Sequence, residues 1–270
     1  MQNNRIFLAL CLSVLFLSGC GKNQSSVPVQ NTDLDLPSIK VGSDSYPPFI
    51  YVDENGDFSG IDVEIAKEAF KRLGYTVEFE IIPWEEKKEL VDSGYVDCIW
   101  GAFSMLGERE KEYNWAGPYM IDRHVVATNY SSEIHTLKDL NGRFVAVQST
   151  TRPEELFLSR SKANIPDVKE VYSFEDRNIL CTMLGKGYID AFAAHEFFIR
   201  QYMADNNLDF EILDEPLQIS PLGVAFSKED SRGLDKKLTF VFGQLNKEKF
   251  VDSVVFKYIP NYSFGVNGKY

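Results

Sequence analysis

The pattern that most constrains this chain is written twice. Gly94-Tyr95-Val96-Asp97 runs into Cys98-Ile99-Trp100, and Gly187-Tyr188-Ile189-Asp190 runs into Ala191-Phe192. Each copy follows a stretch read as a helix, Pro83-Trp84 to about Gly94 and Glu175 to Lys186, and each enters an apolar run that reads as a strand buried on both faces. Helix, glycine, two residues, aspartate and buried strand, repeated in this way, predict two α/β lobes built alike. A chain of 270 residues is long enough for two cores of ordinary size.

The first residues stand apart from that plan. Arg5 is followed by an apolar run from Ile6 to Leu17, too short to span a bilayer and suited to the core of a signal peptide over residues 1–19. Leu17-Ser18-Gly19-Cys20 resembles the lipobox of bacterial lipoproteins, which implies cleavage before Cys20, acylation of its thiol and a membrane anchor. Gly21 to Pro37 is rich in Ser, Asn, Gln and Pro without apolar period, so residues 20–37 read as a lipidated cysteine and flexible tether. Cys98 and Cys181 both sit in apolar patterns and are expected to be buried thiols. The balance of 28 basic against 40 acidic residues gives −12, which disfavours nucleic acid and anionic membrane surfaces as partners. No P-loop, HExxH, GxSxG, CxxC pair or GxGxxG before a helix is present, and His124, His135 and His195 lack metal-ligand spacing. No catalytic residue, cofactor or metal is expected.

In order, Ser38–Ser43 reads as a strand, and Tyr46-Pro47-Pro48-Phe49 as a stiffened loop. Asn55-Gly56 marks a turn, and Gly60 opens a helix with apolar positions Ile61, Ile65, Ala66, Ala69, Phe70 and Leu73 that stops at Gly74. Asp62 in its first turn is read as a structural carboxylate. Strands are expected over Tyr75–Ile82, His124–Asn129, Arg143–Gln148, Leu208–Leu213 and Leu222–Lys228, and helices over Ser231–Lys247 and Phe250–Tyr258. Ser149 to Glu154 reads as a helix start with a capping box and an early proline, whose free N–H groups suit an anion.

The segment Asp97 to Tyr119 carries the chemistry. A buried strand breaks into Gly101-Ala102, Ser104 follows, and Arg109 stands five residues further on. An arginine there suits a carboxylate bidentately, although composition alone favours pairing with Glu108, Glu110 or Glu112 on a solvated turn. The spacing from Asp97 to Arg109, with Ala116-Gly117-Pro118-Tyr119 beyond, resembles the solute-binding proteins that deliver polar amino acids to ABC importers. Further matches at Tyr46-Pro47-Pro48-Phe49, Gly60-Ile61-Asp62, Thr136–Gly142 and the return strand extend the resemblance from residue 38 to about 260. It implies a two-lobed periplasmic-binding-protein type II α/β fold with two crossover hinge segments, lobe 1 from 38–127 plus 223–270 and lobe 2 from 128–222.

The resemblance also implies roles. Arg109 would hold a ligand α-carboxylate, with Ser104 assisting and the Ala102 carbonyl accepting from the α-amine. Tyr46 and Trp84 would form an aromatic clamp, and Thr150 and Thr151 would close over the carboxylate from the second lobe. Leu106 and Gly107 replace a hydroxyl residue and a proline of the family's loop. The main departure is His195, with Glu196 next, where the family places an amine-binding aspartate. Either Glu196 reaches the amine after a small shift, or the ligand lacks an ordinary α-amine there, or His195 makes a pH-dependent contact. The expected protein is an extracytoplasmic lipoprotein acting as a monomer, capturing an amino acid or small carboxylate and passing it to a permease. A dehydratase on the same fold, with Glu196 as its acid, and a receptor feeding a signalling partner are the alternatives.

Overall fold

The computed structural model describes residues 36–160 and 164–260; the expected leader, Cys20 and all but the end of the tether lie outside them. β1 (Ser38–Ser43) leads through the proline loop to a small hairpin, β2 (Tyr51–Val52) and β3 (Phe58–Ser59). In the hairpin turn the Asp53 carboxylate accepts from the N–H groups of Asn55 and Asp57, the local bonding that favours Asp in turns. α1 (Ile61–Arg72) buries the apolar stripe that its period requires, and Gly74 at φ +81° ends it in the left-handed region. β4 (Thr76–Ile81) then pairs in parallel with β1, Ser38 opposite Thr76.

The helix expected after Pro83 begins as a tight 3-10 turn, Trp84–Glu86, and continues as α2 (Lys87–Asp92). β5 (Cys98–Ile99), fully buried, joins the other side of β1. α3 (Arg109–Glu112) is a single turn before β6 (Asn114–Asn129), a strand of 16 residues. Beyond it come β7 (Phe144–Gln148), α4 (Arg152–Ser159), β8 (Glu170–Phe174), α5 (Asn178–Gly185), β9 (Ala191–His195), α6 (Glu196–Asn206) and β10 (Phe210–Ile212). β11 (Gln218–Phe226) returns, and α7 (Leu234–Lys247) and α8 (Phe250–Tyr258) follow. Trp100 packs against Phe70 of α1 and Phe242 of α7.

The strands form one curled sheet in the order β4-β1-β5-β11-β6-β9-β7-β8, with β10 also on β6. β6 and β11 run antiparallel from Asn114–Phe226 to His124–Gln218. Their far ends belong to different neighbours, β5 on one side and β9 on the other. These two long strands are the crossover segments of the two-lobed fold.

The repeat seen in the sequence is repeated in atoms. Asp97 accepts from the Lys40 N–H of β1 at 2.8 Å, and Asp190 accepts from the Phe144 N–H of β7 at 2.7 Å. Each aspartate thus satisfies the first free donor beside its own strand. Cys98 and Cys181 are buried free thiols. The capping box expected within Ser149–Glu154 is corrected: the Thr151 hydroxyl donates to the Gln148 carbonyl, and Glu154 accepts from the Thr150 N–H. A box-like pairing occurs at Thr136, whose N–H and hydroxyl both reach Asp139.

Candidate functional site

A narrow cleft lies between the β5–α3 loop and the start of α4. Gly101 lets that loop pass β1 closely, since a Cβ there would fall 2.0 Å from Ser43 Oγ. Ala102 follows at φ +48°, and its N–H donates 2.8 Å to the buried Asp62 carboxylate, which also accepts from the Tyr119 hydroxyl at 2.8 Å. Burial pushes Asp62 up to about 7. Asp62 is therefore structural, as read, but what it fixes is the cleft loop rather than its own helix. Ser104 Oγ lies 3.0 Å from His124 Nε2 and 2.7 Å from Ser220 Oγ, so its hydroxyl is held by both long strands.

Arg109 opens α3 and is half-buried. Its Nη2 donates 2.9 Å to the Thr150 carbonyl, and its guanidinium lies 5.3 Å over the Phe103 ring. Burial pulls its pKa down, and neighbouring Arg152 adds to the effect. None of Glu108, Glu110 or Glu112 forms a salt bridge with it, nor does any other carboxylate among the described residues. Thr150, also left-handed at φ +52°, accepts from Lys87 through its hydroxyl at 2.9 Å. Thr150 and Thr151 thus present the α4 end of the cleft to Arg109, although only Thr151 lines its interior.

Tyr46 and Trp84 both line the cleft, but not as a free aromatic clamp. Arg177 stacks 3.1 Å from the Tyr46 ring centre, and Lys87 lies 4.8 Å from that of Trp84. Both faces suit cations, and the chain supplies its own. Lys87 is buried, which pulls its pKa down to about 8. Arg177 escaped the sequence reading because a residue just before a helix carries no signal of what its side chain reaches.

At the floor, strand register sets His195 of β9 opposite His124 of β6, with ring centres 4.1 Å apart. Two histidines that look dispersed in sequence are neighbours in space. His195 Nδ1 lies 3.1 Å from Asp122, a wholly buried carboxylate whose pKa burial raises. Glu196 is not in the cleft. Arg123 and Arg200 engage its carboxylate, and it does not line the cleft, so the expectation that it reaches a ligand amine is corrected. The free volume of about 30 Å³ admits roughly two waters, so a larger ligand needs side chains or lobes to move.

Comparison with known proteins gives the family. The model of "Bacterial extracellular solute-binding proteins, family 3" matches residues 39–261. The arginine-binding extracellular protein ArtP of Bacillus subtilis is 27% identical over 250 residues, covering 90% of each chain. The L-cystine-binding protein TcyJ of the same organism is 28% identical over 210 residues, 73% of this chain and 74% of that protein. A crystal structure of an ABC uptake transporter substrate binding protein from Streptococcus pneumoniae, with bound histidine, superposes with TM-score 0.76 at 26% identity, covering 83% of this chain and 93% of that one. The chain belongs to the bacterial extracellular solute-binding proteins, family 3.

Proposed function

We propose that this protein captures an amino acid or related small carboxylate outside the cytoplasm and delivers it to the permease of an ABC importer. One observation carries the reading: Arg109 is half-buried and lines the cleft with Ser104 and Thr151, with no carboxylate at ion-pair distance among the described residues. A desolvated guanidinium in that setting is stabilised by an anion entering between the lobes. Ala102, Ser104, Thr151 and His195 line the same space, and the family resemblance supports reading the His195 position as the one nearest a ligand amine. Closure would run about β6 and β11, with lobe 1 formed by residues 38–127 and 223–270 and lobe 2 by 128–222.

The lipobox-like Leu17–Cys20 supports anchoring of the protein to the membrane through an acylated Cys20. Among the described residues no helix is long and apolar enough to cross a membrane. The test is a thermal-shift screen of refolded protein against amino acids, their N-blocked forms and small carboxylates. A ligand at ~100 times its Kd stabilises by ~2.7 kcal/mol, a plain rise in Tm. Silence across the panel would contradict the reading.

A further inference from the structure

We propose that Arg177 closes this cleft to basic side chains and that its occupants are small carboxylates of net negative charge. The inference rests on the cleft being the ligand site and narrows what enters it. Asp44 and the face of Tyr46 together make a corner suited to a cation, a carboxylate beside an aromatic ring. Arg177 already fills that corner. Reaching from the segment before α5, its guanidinium covers the Tyr46 ring, donates 2.6 Å to Asp44 Oδ2, and donates through Nε at 3.0 Å to Gln148 Oε1. Gln148 in turn donates 2.9 Å to Asp44. Arg177 is 4% exposed, so this is a built part of the cleft wall rather than a passing surface contact.

The remaining charges point the same way. Three arginines line the cleft, Arg109, Arg152 and Arg177, and no aspartate or glutamate among the described residues does. The nearby acids are committed behind the wall: Asp44 to Arg177, Glu155 to Arg152, Asp122 to His195 and Glu196 to Arg123. A basic side chain entering here would be desolvated beside like charges with no carboxylate to answer it, which is rejection by an unpaired charge. A ligand with excess carboxylate meets Arg109, which has none. At the amine position an imidazole stands in place of an acid, which lowers the attraction for an ammonium.

Calorimetric titration of the wild type and Arg177→Ala with glutarate, succinate, N-acetylated amino acids and the common L-amino acids tests this. Wild type is expected to bind net-negative compounds best, with L-arginine and L-lysine at least tenfold weaker. Arg177→Ala vacates the Asp44–Tyr46 corner, where Asp44 Oδ1 is already a buried acceptor without a partner, and should gain at least tenfold for L-arginine. If alanine lowers Tm, Arg177→Met keeps packing on Tyr46 without the charge and should lose the like-charge discrimination against L-arginine and L-lysine, without the full gain of a vacated corner. A basic or neutral amino acid binding wild type as tightly as the best acid would overturn the inference and leave the binding reading standing. No binding of any compound to either protein would overturn both.

Discussion

Ala102 and Thr150 hold the left-handed backbone on opposite lips of the cleft, at φ +48° and +52°. Such angles cost a non-glycine residue ~1–3 kcal/mol and persist only where neighbours enforce them. For Ala102 the enforcing group is Asp62, and its protonation gives a testable sign. Burial raises its carboxyl from 3.8 to about 7, so between those values the folded state binds a proton that the unfolded state has lost. This group's contribution to stability is therefore largest at low pH and falls by roughly 1.4 kcal/mol per pH unit across that window, levelling above pH 7. Asp62→Asn keeps an acceptor for Ala102 and removes the titration. Urea denaturation should show the variant gaining on wild type from pH 4 to 7; a constant difference would contradict the account. That Arg109, Ser104 and Ala102 share one loop at the cleft was legible in sequence, because it depends on local spacing. Arg177, Asp122 and His124 were not, because each acts through a partner brought near by strand register or by a long side chain crossing between segments.

The repeated Gly-x-x-Asp unit gives the elements a shared device. Asp97 and Asp190 each accept a backbone N–H at the edge of a buried strand pair. Removing either acceptor leaves that donor short of a partner, which costs ~1–3 kcal/mol where water does not replace it. Asp97→Ala and Asp190→Ala should each lower the denaturation midpoint, and Asp97→Ala should cost more, because the ion pair it breaks, to Arg232 at 2.6 Å, is closer than the 3.8 Å pair of Asp190 with Arg143. Equal stability of both variants with wild type would show the repeat to be incidental. Elements with clear period or punctuation, such as α1 with Gly74, were readable in advance. α6 was not: it starts directly from β9, and its buried residues Glu196, Phe197, Phe198 and Ile199 are consecutive, leaving no 3.6-residue stripe. β8 was also unread, and its residues are only half-buried or exposed, a weak strand pattern.

At the scale of the whole molecule, the cleft is a seam between segments carried by different parts of the sheet. Lys87 and Arg109 reach Thr150, Ser149 reaches Glu85, and Arg177 reaches Asp44, so one face presents cations and acids that the other completes. Ligand binding should slow amide hydrogen exchange on both lips together, at Gly101–Ser104 and at Thr150–Arg152, while α7 stays unchanged; protection of one lip alone would contradict closure. The two-lobed plan was legible from the repeat, but the state of the seam was not, since it depends on side chains far apart in sequence. The most direct test of the central claim is calorimetric titration of Arg109→Ala with the best ligand from the thermal-shift screen. Losing the cation that answers a buried carboxylate should weaken binding by ~2–5 kcal/mol while Tm without ligand stays near that of wild type. Near-native affinity in that variant would contradict the assignment of Arg109, and with it the account of what this cleft holds.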